Sequence, residues 1–132
     1  MIEAQTRGPL TEPEYRDARA LACRLARDEG IDAIMTRHQL DALVDLTNGP
    51  AWLIDPVHGD QPTGYGAIHP LAAIAGYPSI TVPAGTDHGL PVGLSFVGRA
   101  WSEARLLALA ADFEAKTRAR RVPLFLPTAK VP

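Results

Sequence analysis

Apolar positions recur along the chain in rhythms that change from segment to segment. Tyr15, Ala18, Leu21, Ala22, Leu25 and Glu29 fall within one stripe at 3.6-residue spacing, with Arg16, Arg19, Arg24 and Arg27 to the other side, which predicts an amphipathic helix over roughly 12–29. Thr11-Glu12-Pro13-Glu14 supplies a capping-box start, and Gly30 a left-handed stop. Ile31 to His38 reads as a further short helix with Asp32 as its cap. The apolar, β-branched run at 42–46 before Asn48-Gly49-Pro50 predicts a buried strand ending in a turn.

From Thr47 to Tyr65, three prolines and three glycines exclude a regular element, while Trp52, Leu53, Ile54 and Tyr65 give enough apolar surface for an ordered, site-lining loop. His69 to Gly76 reads as a compact helix with Pro70 near its start and Gly76 at its stop. Strands follow at 79–83 and 92–97, the second alternating large with mostly small side chains, and the two are expected to form a hairpin across a loop from Ala84 to Pro91. Ser102 is placed to cap a last helix of about 103–118, in which Leu106, Leu109, Ala110 and Phe113 share a face and Lys116, Arg118, Arg120 and Arg121 crowd the negative end. The tail from Val122 to Pro127 is expected to lie against a surface through Leu124 and Phe125.

Composition narrows the classes. The chain has 132 residues, 46% of them apolar and 21% charged, with 13 basic and 15 acidic side chains. That fits one globular domain and gives no electrostatic case for nucleic acid or an anionic membrane as partner. One cysteine cannot form an internal disulfide, so a reducing compartment, the cytoplasm, is expected. The sequence shows no signal-peptide h-region and no run of eighteen apolar residues.

Three blocks resemble a known family. Asn48-Gly49-Pro50-Ala51-Trp52, Leu71 through Gly85 (LAAIAGYPSITVPAG) and Gly89 through Arg99 (GLPVGLSFVGR), followed by Trp101-Ser102-Glu103-Ala104-Arg105-Leu106-Leu107, match in order and spacing the C-terminal part of amidase-signature enzymes. The resemblance covers about residues 11–128. It implies an α/β fold, the C-terminal segment of a mixed sheet flanked by helices, with 1–10 as an N-terminal extension and 129–132 as a tail. It also implies a parent activity: hydrolysis of carboxamide C–N bonds by a Ser–Ser–Lys set.

That set belongs to the family's N-terminal half, which has no counterpart in these residues. Ser79, Ser95 and Ser102 are the only serines and Lys116 and Lys130 the only lysines. A Ser–Lys mechanism needs the amine within reach of the hydroxyl, so no catalytic residue is assigned. Leu46-Thr47 stands where the family usually has Pro-Thr, and residues 62–69 replace a Gly/Ser-rich run. Asn48, Trp52 and Tyr65 are the substrate-pocket candidates that the resemblance implies. No cofactor or metal is expected: Asp55, His58 and Asp60, with His69 further on, match no tight ligand spacing.

Cys23 lies between arginines with no histidine near it in sequence and reads as an ordinary thiol. His38 and His88 are expected to be exposed, Trp52 and Trp101 to act as anchors, and Arg99 to be structural unless it pairs with a carboxylate of the N-terminal half. Three functional readings remain open: an amidase segment silent alone and completed by an N-terminal partner, a non-catalytic binding or structural module on the amidase scaffold, and a self-sufficient hydrolase using another set such as Cys23 with a histidine. Open sheet edges and uncovered apolar faces predict that the isolated chain self-associates or is only marginally stable.

Overall fold

A computed structural model describes residues 5–60, 68–123 and 125. Three antiparallel strands, β1 (Leu43–Leu46), β2 (Ser79–Asp87) and β3 (Leu90–Val97), form a sheet in the order β1-β3-β2. Helices α1 (Pro13–Ala26), α2 (Asp32–Arg37) and α3 (Ile68–Ala75) cover part of one face, and α4 (Glu103–Thr117) covers the other. Among the described residues no helix is long and apolar enough to cross a membrane.

The small-large alternation of β3 decides this layering. In an extended strand successive side chains point to opposite faces. Phe96 and Leu94 therefore pack with Val82, Ile80, Leu106, Ala110 and Phe113 on the α4 side, where the Phe96 and Phe113 rings meet edge to face at 5.9 Å. Val97 points the other way, into a second core of Ala26, Ile31, Met35, Ala72 and Ala75.

Several expected details differ, each for a local reason. The helix starts at Pro13 with Glu12 as its flanking residue and no side-chain cap, so the Thr11–Glu14 box does not form. Glu12 is extended (φ −61°, ψ 138°), as the residue before a proline prefers, and this moves the cap position from Thr11 to Glu12. Gly30 does not stop the chain; it lies in a π-helical turn, Arg27–Ile31, that joins α1 to α2. Its missing side chain is needed there, because a Cβ would stand 2.7 Å from the Leu25 carbonyl oxygen.

Helix α1 also buries a stripe rotated from the one its sequence suggests, with Ala22 common to both. Ala22, Cys23 and Ala26 turn inward towards α3, while Leu21 and Leu25 stay 47% and 49% exposed. Close approach through small residues sets the rotation. Ser102 likewise caps nothing: its hydroxyl donates to the Arg99 carbonyl at 2.8 Å in the turn before α4.

The expected loop between the hairpin strands is mostly strand. Pairing continues to Asp87↔Leu90, and only His88 and Gly89, with φ 49° and 84°, make the turn. Two positive φ values give the turn whose twist suits a two-residue hairpin. Ala84 is accommodated as a bulge between Pro83 and Gly85. Trp101, expected as an anchor, is 91% exposed in a turn with φ 64°, and Phe125 is 90% exposed rather than docked; Leu124 lies outside the described residues.

The C-terminal end of α3 is closed by polar contacts. Gly76 takes φ 65°, the Arg27 Nε donates to the Ala75 carbonyl, and the Arg27 guanidinium lies over the Tyr77 ring at 5.7 Å. A cation at the negative end of a helix is favourable in charge as well as geometry. The Tyr77 hydroxyl in turn donates to Asp32 Oδ2 at 2.6 Å, which ties α2 to the same point.

Candidate functional site

The sheet face towards α3 changes character along its length. Leu43, Val97 and Ser79 share one row of the register, and Asp45, Ser95 and Thr81 the next. Beyond β1, the Thr47 amide donates to the Gly93 carbonyl at 2.8 Å and extends the pairing by one more step, beside Pro83. The first row feeds the apolar core. The next two are polar or small.

Ser95 is the hub of these rows and is fully buried. Its Oγ lies 2.7 Å from Thr47 Oγ1, 2.9 Å from Thr81 Oγ1 and 2.9 Å from Nε2 of His69, on the first turn of α3. Thr47 also donates to Thr81 at 3.3 Å. Gly93 makes room for this convergence, because a Cβ there would be 2.8 Å from both the Thr47 hydroxyl and the Thr81 methyl. Among the described residues no buried side-chain nitrogen or oxygen lacks a hydrogen-bond partner.

An open groove of about 380 Å³ lies over the two threonines, lined by Thr47, Asn48, Gly49, Thr81, Val82, Pro83, Pro91, Val92 and Gly93. Among the described residues that line it, none has a charged side chain. Its polar end is the threonine pair with Asn48, and its apolar walls are Pro83, Pro91 and Val92. Such a surface suits a neutral ligand with an amide or hydroxyl group and an apolar body.

Ser95 with His69 has the outline of a nucleophile and base, but the geometry gives it another role. A nucleophile must present its oxygen to the substrate carbon. Ser95 Oγ is fully enclosed, and its one hydrogen and two lone pairs match its three partners. It holds other groups in place and does not attack.

Of the pocket candidates, Asn48 lines the groove. Trp52 does not: it sits on the following loop, its indole Nε1 donating to Asp60 Oδ1 at 3.1 Å. Tyr65 lies outside the described residues. Asp55 folds the same loop by accepting from the Val57 and His58 amides at 2.8 and 3.0 Å and from the His58 ring at 2.8 Å. The His58 amide, its ring and the Val57 amide hold the Asp55 carboxyl below its ordinary value. Among the described residues no group of three His, Cys, Asp or Glu side chains is arranged to hold a metal ion.

Cys23 is half-buried, with its Sγ 4.0 Å from the Ile74 carbonyl, in a second groove whose lining includes arginines and, among the described residues, no histidine. Arg99 donates to Thr36 Oγ1 at 2.8 Å and braces α2. From sequence, Ser95, Thr47 and Thr81 carry no site role, and His69 enters only among the metal-ligand candidates. The signal was there in part: small residues at 93 and 95 face Thr81 once the hairpin register is known, and that register depends on the two-residue turn.

The described residues thus form a mixed α/β segment that buries a hydroxyl cluster beside an open groove. A family profile described as Amidase matches residues 16–107, and the chain belongs to the amidase family. A probable amidase of Arabidopsis thaliana is 35% identical over 98 residues, which are 74% of this chain and 16% of the plant protein. The peptide amidase of Stenotrophomonas maltophilia superposes with a TM-score of 0.83 at 52% identity, over 94% of this chain and 24% of that one. An amidase family protein of Bacillus anthracis gives 0.66 at 27% identity, over 92% of this chain and 21% of its own. The chain thus spans a quarter or less of the length of these relatives, and it is a partial amidase domain.

Proposed function

We propose that this chain forms the C-terminal, substrate-bordering segment of an enzyme that hydrolyses carboxamide C–N bonds, with short peptide amides as the substrate class. The observation that carries the reading is the 52% identity to a peptide amidase over 94% of the chain. The groove supports it, since an uncharged lining with hydroxyl and amide groups at one end suits a neutral amide.

In this reading the Ser–Ser–Lys chemistry comes from an N-terminal amidase segment, which is the partner the chain needs. The exposed apolar residues of α1 and α3, Leu21, Leu25 and Ile74, fit such a partner. Nucleic acid and membrane are not partners. The single cysteine suits a reducing compartment, and the cytoplasm is the site of action we assign.

A chimaera tests this. The C-terminal quarter of the S. maltophilia peptide amidase is replaced by this chain, and ammonia release from a short peptide amide is measured. Turnover by the chimaera, with none by the 132-residue chain alone, is the expected result. A chimaera that folds as a monodisperse species yet releases no ammonia overturns the reading, and so does hydrolysis by the chain alone. Loss of that lone activity on Cys23→Ala would point instead to a thiol enzyme.

A further inference from the structure

The hydroxyl cluster fixes not only where the groove is polar but which polarity it shows. Four contacts link Thr47, Thr81, Ser95 and His69: Ser95 with each of the other three, and Thr47 with Thr81. Each contact uses one hydrogen. When His69 carries a hydrogen on Nε2, the cluster holds four hydrogens for four contacts, and a closed circuit satisfies all of them. His69 donates to Ser95, Ser95 to Thr47, Thr47 to Thr81, and Thr81 back to Ser95.

When Nε2 is bare, three hydroxyl hydrogens serve four contacts, and inward use still consumes all three. In either tautomer every hydrogen can be used inside the cluster, which leaves lone pairs on the two threonine oxygens, 3.3 Å apart at the groove. Ser95 cannot fill that role itself, being saturated and enclosed. It orients the hydroxyls that can.

We propose that Thr47 and Thr81 form an acceptor subsite that binds one N–H of a neutral amide, shared between their two oxygens, with Ser95 and His69 as positioning residues. A carboxylate would meet lone pairs and is rejected. An ammonium ion would meet no counter-charge among the described lining residues, and would give up its hydration for little return. An amide N–H presents a single neutral donor, and the Pro83, Pro91 and Val92 walls take the apolar part of the same ligand. The proposal rests on the amidase reading only for the expectation that amides visit the groove.

The test compares two ligands that differ by one hydrogen-bond donor: N-acetylproline N-methylamide, whose only N–H is the terminal one, and N-acetylproline N,N-dimethylamide, which has none. Each is titrated into the 15N-labelled 132-residue chain while the amide resonances of Thr47, Thr81 and Gly93 are followed. The methylamide is expected to bind about five- to tenfold more tightly, the factor that one neutral hydrogen bond supplies. Thr81→Val, which keeps the shape and removes the hydroxyl, should erase that preference, and Thr81→Ser should restore it.

Equal affinity for the two amides overturns the proposal, as does the absence of any shift at these residues or an unchanged preference in Thr81→Val. If Thr81→Val fails to fold, the comparison of the two ligands on the unsubstituted chain still decides. The outcome is separate from that of the chimaera, which reads turnover and would survive a groove that binds amides by shape alone.

Discussion

The phenol of Tyr77 shows how one side chain can gather three elements. Its hydrogen bond to Asp32 raises its pKa above the ordinary value of 10, and burial and the Asp32 charge push the same way, against a smaller opposing effect of Arg27. In the unfolded chain the phenol titrates near 10. The folded state therefore holds the proton more tightly, and the stabilisation is complete below pH 10 and lost as pH rises through the folded value. Tyr77→Phe is expected to lower stability by about 1–2 kcal/mol at pH 7 in urea unfolding. The gap between the two proteins should shrink above pH 10; a gap that widens there would contradict this linkage. None of this was legible in the sequence, where Asp32 and Tyr77 are 45 positions apart and only the fold joins them.

At the scale of elements, the sequence carried the helices and strands better than their ends and rotations. The helices at 13–26, 68–75 and 103–117 and all three strands stand close to where periodicity puts them. What periodicity could not show was which side of α1 faces inward, because the inward side is chosen by how closely Ala22 and Ala26 let α3 approach. Nor could it show the π-helical turn, since Gly30 looks like an ordinary helix stop until its neighbour Leu25 is in place. Gly30→Ala tests the close approach in that turn. In a regular helix alanine would stabilise by about 1 kcal/mol over glycine. Here the new methyl meets a backbone carbonyl that cannot swing aside, so chemical denaturation should show a loss of about 1–3 kcal/mol. The candidate site was half legible by the same logic: Asn48 came from the family pattern, whereas Ser95 and His69 became a pair only through hairpin register and the placement of α3.

At the scale of the molecule, the chain exposes more large apolar side chains than its two small cores bury. Leu21, Leu25, Ile34, Ile74 and Leu107 are each between 43% and 58% exposed. Light scattering or sedimentation at rising concentration should therefore show reversible association of the isolated chain, which fusion to an N-terminal amidase segment abolishes. A dilute, concentration-independent monomer with a sharp melt would argue against that surface being an interface. The two cores also lie on opposite faces of the sheet, and consecutive residues of β3, Phe96 and Val97, belong to different ones. That strand is the seam between two nearly independent halves. Detaching α4 would strip the cover from Phe96 while leaving Val97 seated among Ala72, Ala75 and Ile31, so the amides of α4 can exchange with solvent through an opening that the α1 to α3 side never feels.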